Sequence, residues 1–177
     1  LRALFDKYLE PSIEFAKKEC KELVPSQVNT LARSLMKLLD CYLEAYRDTE
    51  YKRVTTEELD HAESVIEYLF FFCLVWSVGA TTDLEGRRKF NTKLRDMMIE
   101  NNANVNFPGD GLVYDFSFNL KTKSFEPWSD FNKGFQINEK LTYSEIVVPT
   151  NDYTRMLYLM KLLLTNKKHV MLPGPTG

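Results

Sequence analysis

The sequence has 177 residues, 44% of them hydrophobic and 27% charged, with 23 Lys+Arg against 25 Asp+Glu and a formal net charge of -2. That length suffices for one large or two small folded units, and the composition is that of a soluble chain with a sizeable core. The two signs are interspersed, which argues against a nucleic-acid groove or a polybasic membrane face, both of which need clustered Lys and Arg.

Lys17-Lys18, Arg87-Arg88-Lys89 and Lys167-Lys168 are short and isolated, and read as solvated helix faces. Cys20, Cys41 and Cys73 are odd in number and far apart, each within an apolar helical pattern. That fits reduced thiols packed in a cytosolic interior better than disulfides. His61 and His169 have no ligand partner three or four residues away, so no metal site is expected. The amino end is charged and amphipathic, unlike a signal peptide. The chain starts at Leu1 and stops inside a motif, and reads as cut from something longer.

In chain order, Leu1 to Glu22 is amphipathic, with Leu4, Tyr8, Ile13 and Phe15 to Ala16 near one face and Pro11 interrupting. Pro25 and Ser26 restart the chain. Val28, Leu31, Leu35, Leu38, Leu39 and Tyr42 to Leu43 then predict a second helix reaching Tyr46. Both read as members of a bundle. Thr55 and Glu58 stand at capping-box spacing and open a third helix. It runs into Tyr68 to Trp76, apolar all round but short of the ~20 residues a membrane span needs, and therefore the expected centre of the helical core. Gly79 breaks this helix. Thr82 and Glu85 offer a capping box for a fourth, through Met97, Met98 and Ile99. Arg87, Arg88, Lys93 and Arg95 decorate it, and Arg87 is a candidate for reaching a nucleotide phosphate, the alternative being a surface guanidinium.

Asn101 to Asp110 is polar and marked by Gly and Pro, and is taken as the boundary between two units. Beyond it the pattern alternates: Val113, Asp115 and Ser117 share one strand face, and Tyr114, Phe116 and Phe118 the other. Lys121 to Lys123 predicts a turn, and Phe125 to Trp128 a second strand cut by Pro127. Ile146-Val147-Val148 reads as a strand ended by Pro149. Thr150, Asn151 or Asp152 can each cap the helix that follows, with its stripe of Tyr153, Leu157, Met160 and Leu164. Lys167-Lys168 closes it near its negative end. His169 to Leu172 then suits a strand buried on both faces of a parallel sheet.

The last residues are Pro173-Gly174-Pro175-Thr176-Gly177. A phosphate-binding loop follows a buried strand and has the form G-x-x-x-x-G-K-[ST], because its backbone N–H groups cradle phosphate oxygens. Gly174, Pro175, Thr176 and Gly177 supply its first four positions. A Gly-Pro turn after a strand gives the same letters, so the context decides.

Four stretches supply that context. They are Phe72-Cys73-Leu74-Val75-Trp76-Ser77-Val78-Gly79-Ala80 with Glu85-Gly86-Arg87-Arg88-Lys89-Phe90; Gly111-Leu112-Val113-Tyr114-Asp115-Phe116; Val147-Val148-Pro149-Thr150-Asn151-Asp152; and Leu172 to Gly177. In this order they resemble dynein heavy chain, at the join of the second and third AAA+ modules of its motor ring, and the Trp76-Ser77-Val78-Gly79 stretch is more like axonemal than cytoplasmic dyneins. Phe125 stands where that family commonly has a tryptophan, and Tyr153 where it commonly has a threonine.

The resemblance implies an α plus α/β fold, with a helical lid bundle over residues 1–104. A short β-hairpin region and the first strand-helix-strand of an AAA+ P-loop core would fill 105–177. It implies that Val147, Val148 and Pro149 lie on the adenine side of a nucleotide and that Gly174 to Gly177 begin its phosphate loop. The implied cofactor is ATP or ADP with Mg in the intact parent, with none bound tightly by this segment alone. It lacks the P-loop lysine, a Walker B acid and an arginine finger. The implied partners are neighbouring AAA+ modules of the same heavy chain, microtubules, and dynein intermediate and light chains, without nucleic acid or membrane. The implied location is the cytoplasmic cytoskeleton, in a ciliary or flagellar axoneme. Two other readings stand beside this one: the start of an independent P-loop NTPase or kinase, and a helical interaction domain whose final glycine loop is incidental.

Overall fold

The computed structural model describes residues 1–47, 53–136, 142 and 146–171. The chain divides into two compact units, Leu1–Phe125 and Glu126–Gly177. In the first, a short α1 (Arg2–Leu4) passes through a π-helical turn (Phe5–Leu9) into α2 (Glu10–Glu19) without a break. Pro11 falls in the first turn of α2. A proline has no N–H to give the carbonyl four residues back, and the wider π turn just before it absorbs that missing bond. Pro11 therefore interrupts the ladder but not the helix.

Helix α3 (Val28–Leu43) follows, continued by a 3-10 turn at Glu44–Tyr46. Its stripe of Leu31, Leu35, Leu38, Leu39 and Tyr42 is buried, whereas Val28, expected in that stripe, is 58% exposed at the open first turn. Helix α4 (Thr56–Ser77) begins at the expected capping box: Thr55 Oγ1 accepts from Glu58 N–H at 3.2 Å, and Glu58 Oε2 accepts from Thr55 N–H at 2.9 Å. Helix α5 (Leu84–Glu100) does not use the expected box. Asp83 is its cap, accepting from Gly86 N–H at 2.8 Å, while Thr82 is buried and donates to Gly79 O at 3.0 Å. A carboxylate one residue nearer the helix is a good cap, and it leaves the Thr82 hydroxyl free to close the preceding turn.

α4 packs on α3, and α2 on α5. Every residue from Leu69 to Ser77 is buried. Phe70 and Phe71 meet Tyr8, and Phe72 meets Tyr42 edge-on at 5.9 Å. With ~1.5–3 kcal/mol for each large side chain removed from water, this segment is the stabilising centre of the unit. The stretch Thr56–Thr81 has the length and hydropathy of a membrane-crossing helix, but 67% of its apolar window is already buried by the other helices. The α2–α3 and α4–α5 connections are tied together by an antiparallel bridge between Glu22 and Thr82, with Leu23 N–H donating to Thr81 O and Asp83 N–H to Lys21 O.

α5 ends with Asn102 at φ 50, where Ala103 N–H reaches Met98 O and Asn102 N–H reaches Ile99 O, satisfying the last carbonyls. In the segment beyond, Val105 and Phe107 are buried. Val113–Asp115, expected in a strand, forms a 3-10 turn, and the strand is shorter, β1 (Phe116–Asn119) pairing with β2 (Ser124–Pro127) in a two-stranded sheet. Leu112 N–H is captured by Asp115 Oδ2 at 2.8 Å, and this side-chain bond turns the chain before extended pairing starts. β1 packs on α4, Phe118 stacks on Tyr68 at 5.1 Å, and Phe107 stacks on Phe125 at 3.9 Å. Phe125 thus fills its buried position as an aromatic.

The second unit has a 3-10 segment (Trp128–Asn132) packed on α6 (Asn151–Thr165). Of the three possible caps Thr150 is used, its hydroxyl accepting from Tyr153 N–H at 3.2 Å. Lys167, at φ 56, terminates the helix: Lys167 N–H reaches Leu164 O and Lys168 N–H reaches Leu163 O. Two expected strands do not form among the described residues. Ile146, Val147 and Val148 are in no strand, and neither are His169, Val170 and Met171. A strand exists only through the ladder it makes with a neighbour, and a parallel ladder needs further strands that the described residues do not include. Val147, Val148 and Met171 are accordingly exposed. Leu172, which completes the second expected strand, lies outside the described residues.

Candidate functional site

Two of the motifs singled out in the sequence meet at the corner between α4 and α5. Trp76, from the last turn of α4, is edge-on to Tyr114, with ring centroids 5.9 Å apart and planes at 90°. Phe90 of α5 lies on another side of the same ring at 6.5 Å. Gly79, in the turn between these helices, has no room for a side chain: an added Cβ would stand 2.4 Å from Tyr114 Oη and 2.7 Å from the Phe90 ring. Tyr114 is 1% exposed. Burial pushes its phenol well above the usual tyrosine value, opposed by the nearby Arg87 cation and by hydrogen bonding with Thr82.

Arg87 lies over that ring, its guanidinium carbon 5.4 Å from the centroid, and donates to Ala80 O at 3.4 Å. A guanidinium so placed is held by ring quadrupole and carbonyl together, and is partly desolvated rather than loose in solvent. Arg95, which the sequence suggests is a surface decoration, also has a structural task. It donates to Phe107 O at 3.3 Å, Pro108 O at 2.8 Å and Gly111 O at 3.2 Å, fastening the 105–111 segment to α5. Its neighbour Asn91 accepts from Arg95 Nε and from Val113 N–H through the same oxygen. Gly111, at φ 103, takes a conformation that L side chains rarely adopt, and Asp115 lies where its Cβ would point.

In the second unit, Val147 and Val148 are exposed, Pro149 is half-buried, and the three lead directly into the Thr150 cap of α6. Along α6, Phe131, Leu157, Tyr158 and Leu162 border an apolar groove of about 520 Å³. Trp128 packs edge-on to Tyr158 at 5.3 Å. Gly174, Pro175, Thr176 and Gly177 lie outside the described residues. Arg87 belongs to the first unit and Val147 to Pro149 to the second.

The sequence displayed the glycine and the tyrosine as separate motifs but gave no sign that one is packed under the other. Arg95 was the residue most readily missed. Its only signal is that a cation four residues after Asn91 precedes a loop rich in Asn, Pro and Gly, where backbone carbonyls lack ladder partners.

Residues 1–130 match the family described as dynein heavy chain AAA lid domain, and residues 135–177 match the P-loop containing dynein motor region. The chain is 39% identical to dynein axonemal heavy chain 1 of Mus musculus, and 36% identical to dynein axonemal heavy chain 1 of Homo sapiens, over 99% of its length in each case. It is 30% identical over its whole length to dynein axonemal heavy chain 2 of Homo sapiens. It spans about 4% of the length of these relatives. A helical bundle matched by an AAA lid and followed directly by a P-loop region is a segment of an AAA+ motor protein. The chain belongs to the dynein heavy chain family. A free-standing P-loop kinase and an unrelated helical interaction domain are not favoured by these paired matches.

Proposed function

We propose that this segment is a joint between adjacent AAA+ modules in the ring of an ATP-driven, microtubule-based motor, and that it passes nucleotide state from one module to the next. The observation that carries this reading is Tyr114 lodged against Trp76, Gly79 and Phe90. In this reading residues 1–104 are the lid of one module and 105–177 begin the core of the next. The first residues of the second module are then anchored in the corner of the first, and a displacement of either is felt by the other.

On this reading Val147, Val148 and Pro149 border the adenine, and Gly174, Pro175, Thr176 and Gly177 begin the phosphate loop. Exposed valines ahead of a capped helix offer the apolar surface that a base requires. The nucleotide would be ATP or ADP with Mg, which supplies charge stabilisation at the phosphates when bound. Arg87, the weaker candidate for a phosphate contact, lies on the Tyr114 ring. The segment does not hydrolyse ATP by itself; the ATPase is the intact heavy chain. Its nearest partners are the neighbouring AAA+ modules, and those of the whole protein are microtubules and dynein intermediate and light chains. The axonemal names of its relatives support a place in the cytoskeleton of a cilium or flagellum, on the cytoplasmic side.

The experiment is nucleotide binding and microtubule gliding by the intact heavy chain with Gly79→Val, which disturbs the corner without touching a nucleotide contact. The reading expects nucleotide still to bind at both modules while gliding slows. Unchanged gliding in a folded variant would refute it. Isothermal calorimetry on residues 1–177 alone should find no micromolar ATP binding, because the charge-assisted partners worth ~1.5–3 kcal/mol each are missing.

A further inference from the structure

Arg87, Asn91 and Arg95 stand four residues apart on α5, a spacing that puts all three on one side of the helix. The chain that enters the corner runs along that side. Arg87 lies over the Tyr114 ring, Asn91 Oδ1 accepts from Val113 N–H at 2.9 Å, and Arg95 donates to Gly111 O, Pro108 O and Phe107 O. Arg95 and Asn91 are themselves joined, Arg95 Nε donating to Asn91 Oδ1 at 3.1 Å. Residues 105–112 belong to no helix or strand, so their backbone groups have no ladder to join, and these two side chains take several of them. What is held is main chain. Asn106, Gly109 and Asp110 are exposed, and a Cβ added at Gly109 would meet nothing within 4 Å.

We infer that Asn91 and Arg95 form a latch on the main chain of residues 107–113 and are positioning residues for the passage of nucleotide state between modules. The inference rests on the joint proposed above, which it narrows to one pair of side chains. Ring packing around Tyr114 removes apolar surface from water without regard to direction, so by itself it permits the incoming chain to slide or turn in its corner. Hydrogen bonds weaken steeply with angle, and a planar guanidinium fixed at Nε by Asn91 does not follow a sliding chain. A movement of α5 is therefore delivered to Val113 and Tyr114, and onward to β1, with little slack. Burial lowers the Arg95 guanidinium from its ordinary value, but an arginine keeps its charge, and its three carbonyl bonds are charge-assisted.

The test uses the intact heavy chain carrying Arg95→Leu, Arg95→Lys, Gly109→Ala or Gly111→Ala, with Gly79→Val alongside. It reads microtubule gliding together with ATP turnover in the absence of microtubules. The inference expects Arg95→Leu to slow gliding about threefold or more while that basal turnover changes by less than about twofold, because coupling is lost and no nucleotide contact is touched. Arg95→Lys keeps the charge but not the planar fork and should glide at an intermediate speed, which keeps the test decisive if Arg95→Leu is not recovered as folded protein. Gly111→Ala should also slow gliding, since φ 103 is a conformation alanine rarely adopts, whereas Gly109→Ala should glide as wild type. Equal falls in gliding and basal turnover for the Arg95 variants would reduce the pair to support of the fold and overturn the inference. Slowing by Gly79→Val but not by the Arg95 variants or Gly111→Ala would refute the latch and leave the joint standing. If none of these variants slows gliding, the joint fails and the latch with it.

Discussion

Gly79 lies directly beneath Tyr114, so that a Cβ on the glycine would come within 2.4 Å of the phenol oxygen. The glycine is there for proximity rather than for a positive φ, and the approach lets Tyr114 close the corner between α4 and α5. Gly79→Ala should destabilise the folded chain by about 1–3 kcal/mol, the usual penalty of overpacking a filled core. Urea denaturation measures this. Tyr114→Phe in the same chain should return part of the loss by removing the nearest atom, but not all, because the Phe90 ring is also within 2.8 Å of the added carbon. Equal stability of wild type and Gly79→Ala would show that the corner is loosely packed.

The start of α5 distinguishes two carboxylates. Asp83 accepts from Gly86 N–H at 2.8 Å, whereas Glu85 is exposed with Arg88 3.5 Å away. Replacing Asp83 by Ala should lower stability by about 1 kcal/mol, as loss of an N-cap does. Replacing Glu85 by Ala should change it by less than about 0.5 kcal/mol, the range for an exposed ion pair. Thermal melts of the two single variants decide it, and the reverse order would restore the Thr82–Glu85 capping box.

Glu22 should make stability depend on acid. Burial pushes its carboxyl up, but hydrogen bonds from Ser26 and the Lys17 ammonium, 2.9 Å away, outweigh that and hold it below the usual glutamate value. The folded chain therefore binds this proton less readily than the unfolded chain. The resulting stabilisation is complete above the unfolded glutamate pKa and is lost as pH falls through the lower folded value. Chemical denaturation across the acid range should show a shallower loss for Glu22→Gln than for wild type, with the two curves converging at the lowest pH. Parallel curves would remove Glu22 from the account.

The three thiols should react in an order set by burial. Cys73 is fully buried and its thiol is pushed well above the usual value by desolvation, Cys41 is 8% exposed, and Cys20 is half-buried. Because the thiolate is the reactive form, a disulfide reagent on the native chain should modify Cys20 first. Cys41 and Cys73 should react only as the chain unfolds. Mass spectrometry of briefly labelled protein tests the order, and early labelling at Cys73 would contradict the packing of α4 against α3.

The helices were legible because each carries its own signal: the stripe of Leu31, Leu35 and Leu38, the Thr55–Glu58 box, and the unbroken apolar run from Leu69 to Trp76. These are local properties of spacing and side-chain chemistry, and neighbouring residues suffice to express them. The glycine-rich end and the order of the four motifs likewise pointed to the dynein family before any contact was known. Strands were less secure. Val147-Val148 and Val170-Met171 have strand composition, but a strand is completed by its partner, and none pairs with them among the described residues.

Only the tertiary structure decided that Tyr114 belongs to the corner formed by Trp76, Gly79 and Phe90, that Arg87 lies on its ring, and that Arg95 fastens the 105–111 segment to α5. It also set Asp83 rather than Thr82 as the cap. These choices depend on what arrives from distant parts of the chain. Side-chain type states what a residue can bond or fill, but the packed neighbours fix which of those options is taken.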